Sequence, residues 1–144
     1  MKLKIDNELL AEEFFEDTLL LGVMAPMESQ KFVWQVNQSM RFDFRLNDDI
    51  EIQLAKKNRQ YYFSVFEYKE PNMVLEYYLY KNQFDGEYLL PEFKHLDYLW
   101  LTKGDLPGAE DEKKLIADIR SIPGVQLVVE LTNEKIKNKQ HLIL

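Results

Sequence analysis

Glu92, His95 and Asp97 stand within six positions of one another, and each titrates between acidic and neutral pH. In a cleft that shifted their pKa values, such a set could move protons as general acid and general base. The same spacing, Glu-x-x-His-x-Asp, also offers three donors to a metal ion. A structural zinc site needs about four, the chain has no cysteine, and no His-Glu-x-x-His pattern accompanies these residues. The second histidine, His141, lies 46 positions further on. Glu92, His95 and Asp97 are thus the candidate catalytic residues, and no metal or cofactor is expected.

The segment that carries them, Leu89 to Leu101, also has a simpler reading. Pro91 presets the backbone for the first turn of a short helix, and Glu92 follows where a carboxylate is favoured by the helix dipole. Asp97 interrupts an apolar strand, so its carboxylate must be solvated or paired with Lys94, His95 or backbone donors. The sequence favours such a turn lock over a catalytic group. Elsewhere, Ser29, Ser39, Ser64 and Ser121 lie outside any Gly-x-Ser-x-Gly elbow. Lys103–Gly108 holds two glycines without the spacing of a phosphate or dinucleotide loop.

The elements that must position these groups follow from periodicity. Residues 1–17 are read two ways: Leu3 and Ile5 alternate like a short strand, while Leu9, Leu10, Glu13, Phe14 and Asp17 would suit a helix turn or two over 6–17. Thr18 to Ala25 is an apolar run expected as a strand buried on both faces. Ser29 is the expected N-cap of a helix whose stripe is Phe32, Val33, Val36 and Met40, with Trp34 at its edge. Phe42, Phe44 and Leu46 then alternate as a strand, and Asn47-Asp48-Asp49 is read as a turn. Tyr61–Tyr68 and Met73–Tyr80 form a hairpin with a loop at Lys69–Asn72, and Asp85-Gly86 marks the next turn. Leu96–Thr102 is a strand. A second helix carries Leu115, Ile116, Ile119 and Ile122, stops at Pro123-Gly124, and leads into a strand over Val125–Leu131.

This order predicts a single α+β domain over residues 1–144: a largely antiparallel sheet with two helices on one face. Leu19–Leu46 and Tyr98–Leu131 are read as βαβ units of a ferredoxin-like fold with the hairpin strands added. The Ile122–Val125 junction is also similar to the closing unit of regulatory domains of the ACT type.

The chain of 144 residues is 46% hydrophobic and 13% aromatic, enough for one packed core. Its formal charge of -7 works against nucleic acid and anionic membranes as partners. The absence of cysteine and of a signal-like start points to a soluble cytoplasmic protein. Lys135, Lys137 and Lys139 read as a solvated face that could still meet an acidic partner.

Leu90-Pro91-Glu92, three residues, then Leu96-Asp97-Tyr98 resembles the signature of the bacterial IPExxxVDY proteins, with Leu90 in place of isoleucine and Leu96 in place of valine. Phe66-Glu67-Tyr68 and Ser121-Ile122-Pro123 extend the likeness. The resemblance implies no catalytic residue and no mechanism.

Tyr61, Tyr62, Phe63, Phe66, Tyr68, Tyr77, Tyr78 and Tyr80 load both registers of the hairpin with aromatics. Base stacking would need a basic sheet face, but Glu67, Glu70 and Glu76 lie there instead. Tyr62, Tyr78 and Tyr80 are read as an interface, since a tyrosine can bury its ring while its hydroxyl stays wet. The favoured function is a non-enzymatic binding or regulatory module that homodimerises, or contacts a protein or small molecule. The alternative is an enzyme of unfamiliar type built on Glu92, His95 and Asp97.

Overall fold

The computed structural model describes residues 12–56, 58–71, 74–104, 108–132 and 136–144. Along the chain run β1 (Thr18–Met24), α1 (Ser29–Met40), β2 (Arg45–Lys56), β3 (Arg59–Lys69), β4 (Glu76–Lys81), β5 (Gln83–Phe84), β6 (Glu87–Tyr88), β7 (Tyr98–Lys103), α2 (Ala109–Arg120) and β8 (Leu127–Glu130). The fold is α+β, as the sequence predicts. Six strands form one antiparallel sheet in the order β2-β3-β4-β7-β1-β8, and β5 and β6 make a small ribbon around Asp85-Gly86, both at positive φ. β1 and β4 flank β7, while β7 and β8 flank β1. This is the interlocked split βαβ of a ferredoxin-like fold with the β2–β3 hairpin added at one edge.

Both faces of the sheet are covered. Phe32, Val33 and Val36 of α1 and Ile119 of α2 pack on Val23, Phe66, Tyr77, Leu79 and Trp100 on one face. Leu89, Leu90 and Leu96 from the β5–β7 segment, with Ile136 and Leu142 from the tail, cover Phe63, Val65, Tyr78, Tyr80 and Leu99 on the other. Three layers result. This explains why both registers of the hairpin are aromatic: each register has a buried face to fill.

Four expectations are corrected. Phe42 and Phe44 are not in a strand. Arg41 takes a left-handed conformation at the end of α1, and the Asn37 carboxamide accepts from the Phe44 amide at 2.9 Å and donates to its carbonyl at 3.2 Å. That side chain takes the place of a strand partner, and the two rings turn against Tyr68, Tyr77 and Trp100. Asn47-Asp48-Asp49 does not end the strand either. Asn47 Oδ1 accepts from the Asp49 amide at 2.9 Å, so a local turn forms, but β2 resumes beside β3 after a register shift between Leu46 and Glu51. As a result, Leu46 is half exposed.

Leu19–Leu46 is not one of the two split βαβ units, since the strand that follows α1 lies at the far edge of the sheet and β4 takes the place beside β7. The helix cap falls on Glu28 rather than Ser29, with no side-chain bond. Trp34 stands outside the stripe at 58% exposure. Glu12–Phe14 are helical, while the earlier residues, Asn72, Met73 and Lys135 lie outside the described residues.

Gly22 sits in β1 where an added Cβ would meet Leu96 Cδ1, and Leu96 is fully buried. Overpacking of this kind costs about 1–3 kcal/mol. Gly22→Ala is expected to lower the unfolding free energy in urea by that amount, with a lower midpoint, and the same change in a Leu96→Ala background to cost much less. An unchanged midpoint would show that β1 and the covering segment are not in close contact.

Candidate functional site

The segment read as the chemical centre is an internal lock, organised by Asn82. Asn82 follows β4, where the chain leaves the sheet, and is fully buried. Its Nδ2 donates to the carbonyls of Phe93 at 3.0 Å and Leu96 at 2.9 Å, and its Oδ1 accepts from the Leu90 amide at 2.9 Å. Its backbone donates to the Asp97 carbonyl and accepts from the Leu89 amide, each at 2.9 Å. One residue thereby closes the excursion between β4 and β7. Sequence reading missed Asn82 because an asparagine beside a turn signal reads as an ordinary turn former.

The motif residues complete the lock. Pro91–Phe93 form a 3-10 turn with Glu92 in it. The Glu92 carboxylate leaves this turn and accepts from the tail: from the amides of Lys137 at 2.6 Å and Asn138 at 2.9 Å, and from Asn138 Nδ2 at 2.9 Å. Asp97 Oδ2 accepts from the Ala25 amide at 2.8 Å, beyond the end of β1, and its own amide donates to the Val23 carbonyl at 2.9 Å. Tyr98 donates its hydroxyl to the Met27 carbonyl at 2.6 Å; burial pushes its pKa up to about 12. The tail is held further by Tyr80, whose hydroxyl donates to the Leu142 carbonyl at 2.8 Å, and by His141 Nδ1, which donates to the Leu89 carbonyl at 2.7 Å.

Glu92, His95 and Asp97 are therefore not brought together as an acid–base set. Glu92 faces the tail, Asp97 faces β1, and His95 is exposed with its ring edge-on to Phe93. Among the described residues, no group of three acidic or histidine side chains is placed to hold a metal ion. Burial works to raise the Glu92 pKa, but the bonds from the Asn138 side chain and from the amides of Glu92, Asn138 and Lys137 outweigh it, and the net shift is downward.

The three tyrosines read as an interface divide. Tyr78 and Tyr80 are buried in the layer under the tail, where burial, helped in Tyr78 by its bond to Glu76, raises their pKa values above the usual range. They offer no surface. Tyr62 is 42% exposed and lies near Phe84, with ring centroids 6.4 Å apart.

A cleft of about 700 Å³ opens between the end of α1 and α2, floored by Leu75, Tyr77 and Thr102. The Tyr77 hydroxyl donates to Glu70 Oε1 at 2.9 Å, and burial with that bond raises its pKa, so it stays protonated at neutral pH. Ser121, on the rim, donates its hydroxyl to the Asp118 carbonyl. Neither group is an activated nucleophile.

A second open region is the outer half of the β2–β3 hairpin. Gln53 and Tyr62 pair across it, as do Glu51 and Ser64, and Ala55 and Gln60. All six side chains are exposed, while their neighbours Ile52, Tyr61, Phe63 and Val65 are buried on the opposite face. Among the described residues, neither helix covers this outer part of the helix-side face, where the six side chains stand exposed.

No helix among the described residues is long and apolar enough to cross a membrane. No protein-family model matches the chain, and no curated protein sequence matches it. The functional reading accordingly rests on the residues and geometry.

Two outcomes follow from the lock. Asn82→Ala would leave the Leu90 amide and the Leu96 carbonyl without a partner and remove one of the two bonds to the Phe93 carbonyl, and is expected to lower stability by at least ~2 kcal/mol in chemical denaturation; a loss below ~1 kcal/mol would contradict the hub. The Glu92 pKa is lower folded than unfolded, so its contribution is full above the unfolded value of 4.5 and is lost as pH falls through the folded one. Glu92→Gln should cost about 1 kcal/mol at neutral pH, discounted for partial exposure, and should flatten the stability profile below pH 4.5. Parallel profiles for the two proteins would exclude this role.

Proposed function

We propose that this chain is a non-catalytic binding module that acts through protein contacts made by the β2–β3 hairpin. The observation that carries the reading is the bare sheet face around Tyr62, where an exposed aromatic pair, Tyr62 and Phe84, sits among Gln53, Gln60 and Ser64. Aromatic rings with short polar side chains give contact area at low entropic cost. Glu51 is the one charged group among the six paired side chains of that face, in a chain of formal charge -7. A second copy or another protein thus meets little charge repulsion there.

The commitment of Glu92 and Asp97 to backbone amides weighs against the enzyme reading. Membership of the IPExxxVDY proteins is part of the same proposal, supported by the interlocking of Leu90, Glu92, Leu96, Asp97 and Tyr98 around Asn82 and the end of β1. So is a cytoplasmic setting, supported by an acidic chain without cysteine.

Photo-reactive benzoylphenylalanine at position 62 in living cells is expected to give one discrete cross-linked product, of twice the chain's mass if the partner is a second copy. The same group at exposed Arg120 on α2 should give none. No product at position 62, or the same products from both positions, would refute the reading.

A further inference from the structure

β2 pairs with β3 on one side, and among the described residues no backbone bond engages its other side. From Glu51 to Lys56 the ladder to β3 is regular, so this stretch presents a row of free amides and carbonyls at the sheet edge. A groove of about 370 Å³ runs beside it, walled by Ile50, Leu54, Ile143 and Leu144. On the same strand Asp48, Asp49 and Glu51 are exposed. The ion pairs among the described residues, Arg45 with Asp43, Lys56 with Glu87 and Arg59 with Asp85, leave all three unpaired.

We infer that β2 accepts an extended peptide segment of a partner protein as a seventh strand, with apolar and basic residues alternating along it. The inference rests on the binding-module reading and names its partner class. Main-chain bonds along the open edge would hold the segment, and alternation would sort its side chains. Residues on the tail side meet Ile52, Leu54 and the groove, while those on the helix side meet Glu51 and Gln53. Pairing of two β2 edges about a two-fold axis near Ile50 would set Asp49 of one copy against Glu51 of the other, and like charges disfavour that register.

A nine-residue fluorescent probe alternating lysine with valine should bind saturably in anisotropy titrations. Affinity should fall at least ten-fold when glutamate replaces lysine and when alternate amides on one edge are N-methylated. The exposed double variant Asp49→Lys, Glu51→Lys should lose the lysine probe and gain the glutamate one, with its thermal transition unchanged. Equal binding of the N-methylated probe would mean charge attraction without strand addition, and would overturn the inference. So would a native-mass-spectrometry dimer that the probe cannot dissociate, which would assign the edge to a second copy. Absence of probe binding with a discrete cross-link at position 62 would sink strand addition alone; absence of both would sink the binding-module reading with it.

Discussion

The buried carboxamide of Asn82 is the constraint on which the second face of the sheet depends. β4 and β7 are neighbours in the sheet, yet the chain between them leaves the sheet and returns. Its backbone groups must find partners inside the protein, where each unmet one costs about 1–3 kcal/mol. Asn82 meets three of them with one side chain and two more with its own backbone. Leu89, Leu90 and Leu96 are thereby set face down on the sheet, all fully buried. Glu92 then carries the order outward to the tail, and Asp97 carries it to the end of β1.

This arrangement gives the ionisable residues of the motif a mechanical role. Carboxylates that accept from backbone amides are charge-assisted acceptors, stronger than neutral ones, and they suit the joining of segments far apart in sequence. Glu92 joins positions 45 and 46 residues away, and Asp97 one 72 away. Among the described residues, both faces of the sheet are packed over its centre, and the helix-side face of the outer β2–β3 hairpin is exposed. A binding surface is best sought where sheet backbone and aromatic rings remain uncovered, and Tyr62, Phe84 and the edge of β2 lie together there.

Most of the fold was legible because its strands and helices carry clean periods. β1, α1, the β3–β4 hairpin, the Asp85-Gly86 turn and α2 stand where hydrophobic spacing and breakers put them. Two misreadings share one cause, a polar side chain standing in for backbone. Asn37 satisfies Phe44 as a strand would, so an alternating stretch lies outside the sheet. Asn47 forms a true turn inside a strand, which hid the alternation of Ile50, Ile52 and Leu54 beyond it. The lock was half legible: Pro91 and Glu92 announced a turn and Asp97 a need for a donor, but the partners of all three lie far along the chain. Tyr78 and Tyr80 could not be placed from sequence, since only the three-layer packing decides that their face is covered.

Native-state hydrogen exchange at the Leu90 and Ala25 amides tests the central claim most directly. Both are donors in the lock, to Asn82 Oδ1 and Asp97 Oδ2. If the motif is the fastening of the fold, both amides should exchange only through global unfolding, with the same free energy as the central strand β1. Exchange at either amide several kcal/mol easier than in β1 would mean that the segment opens on its own, and would return Glu92, His95 and Asp97 to consideration as a mobile functional site.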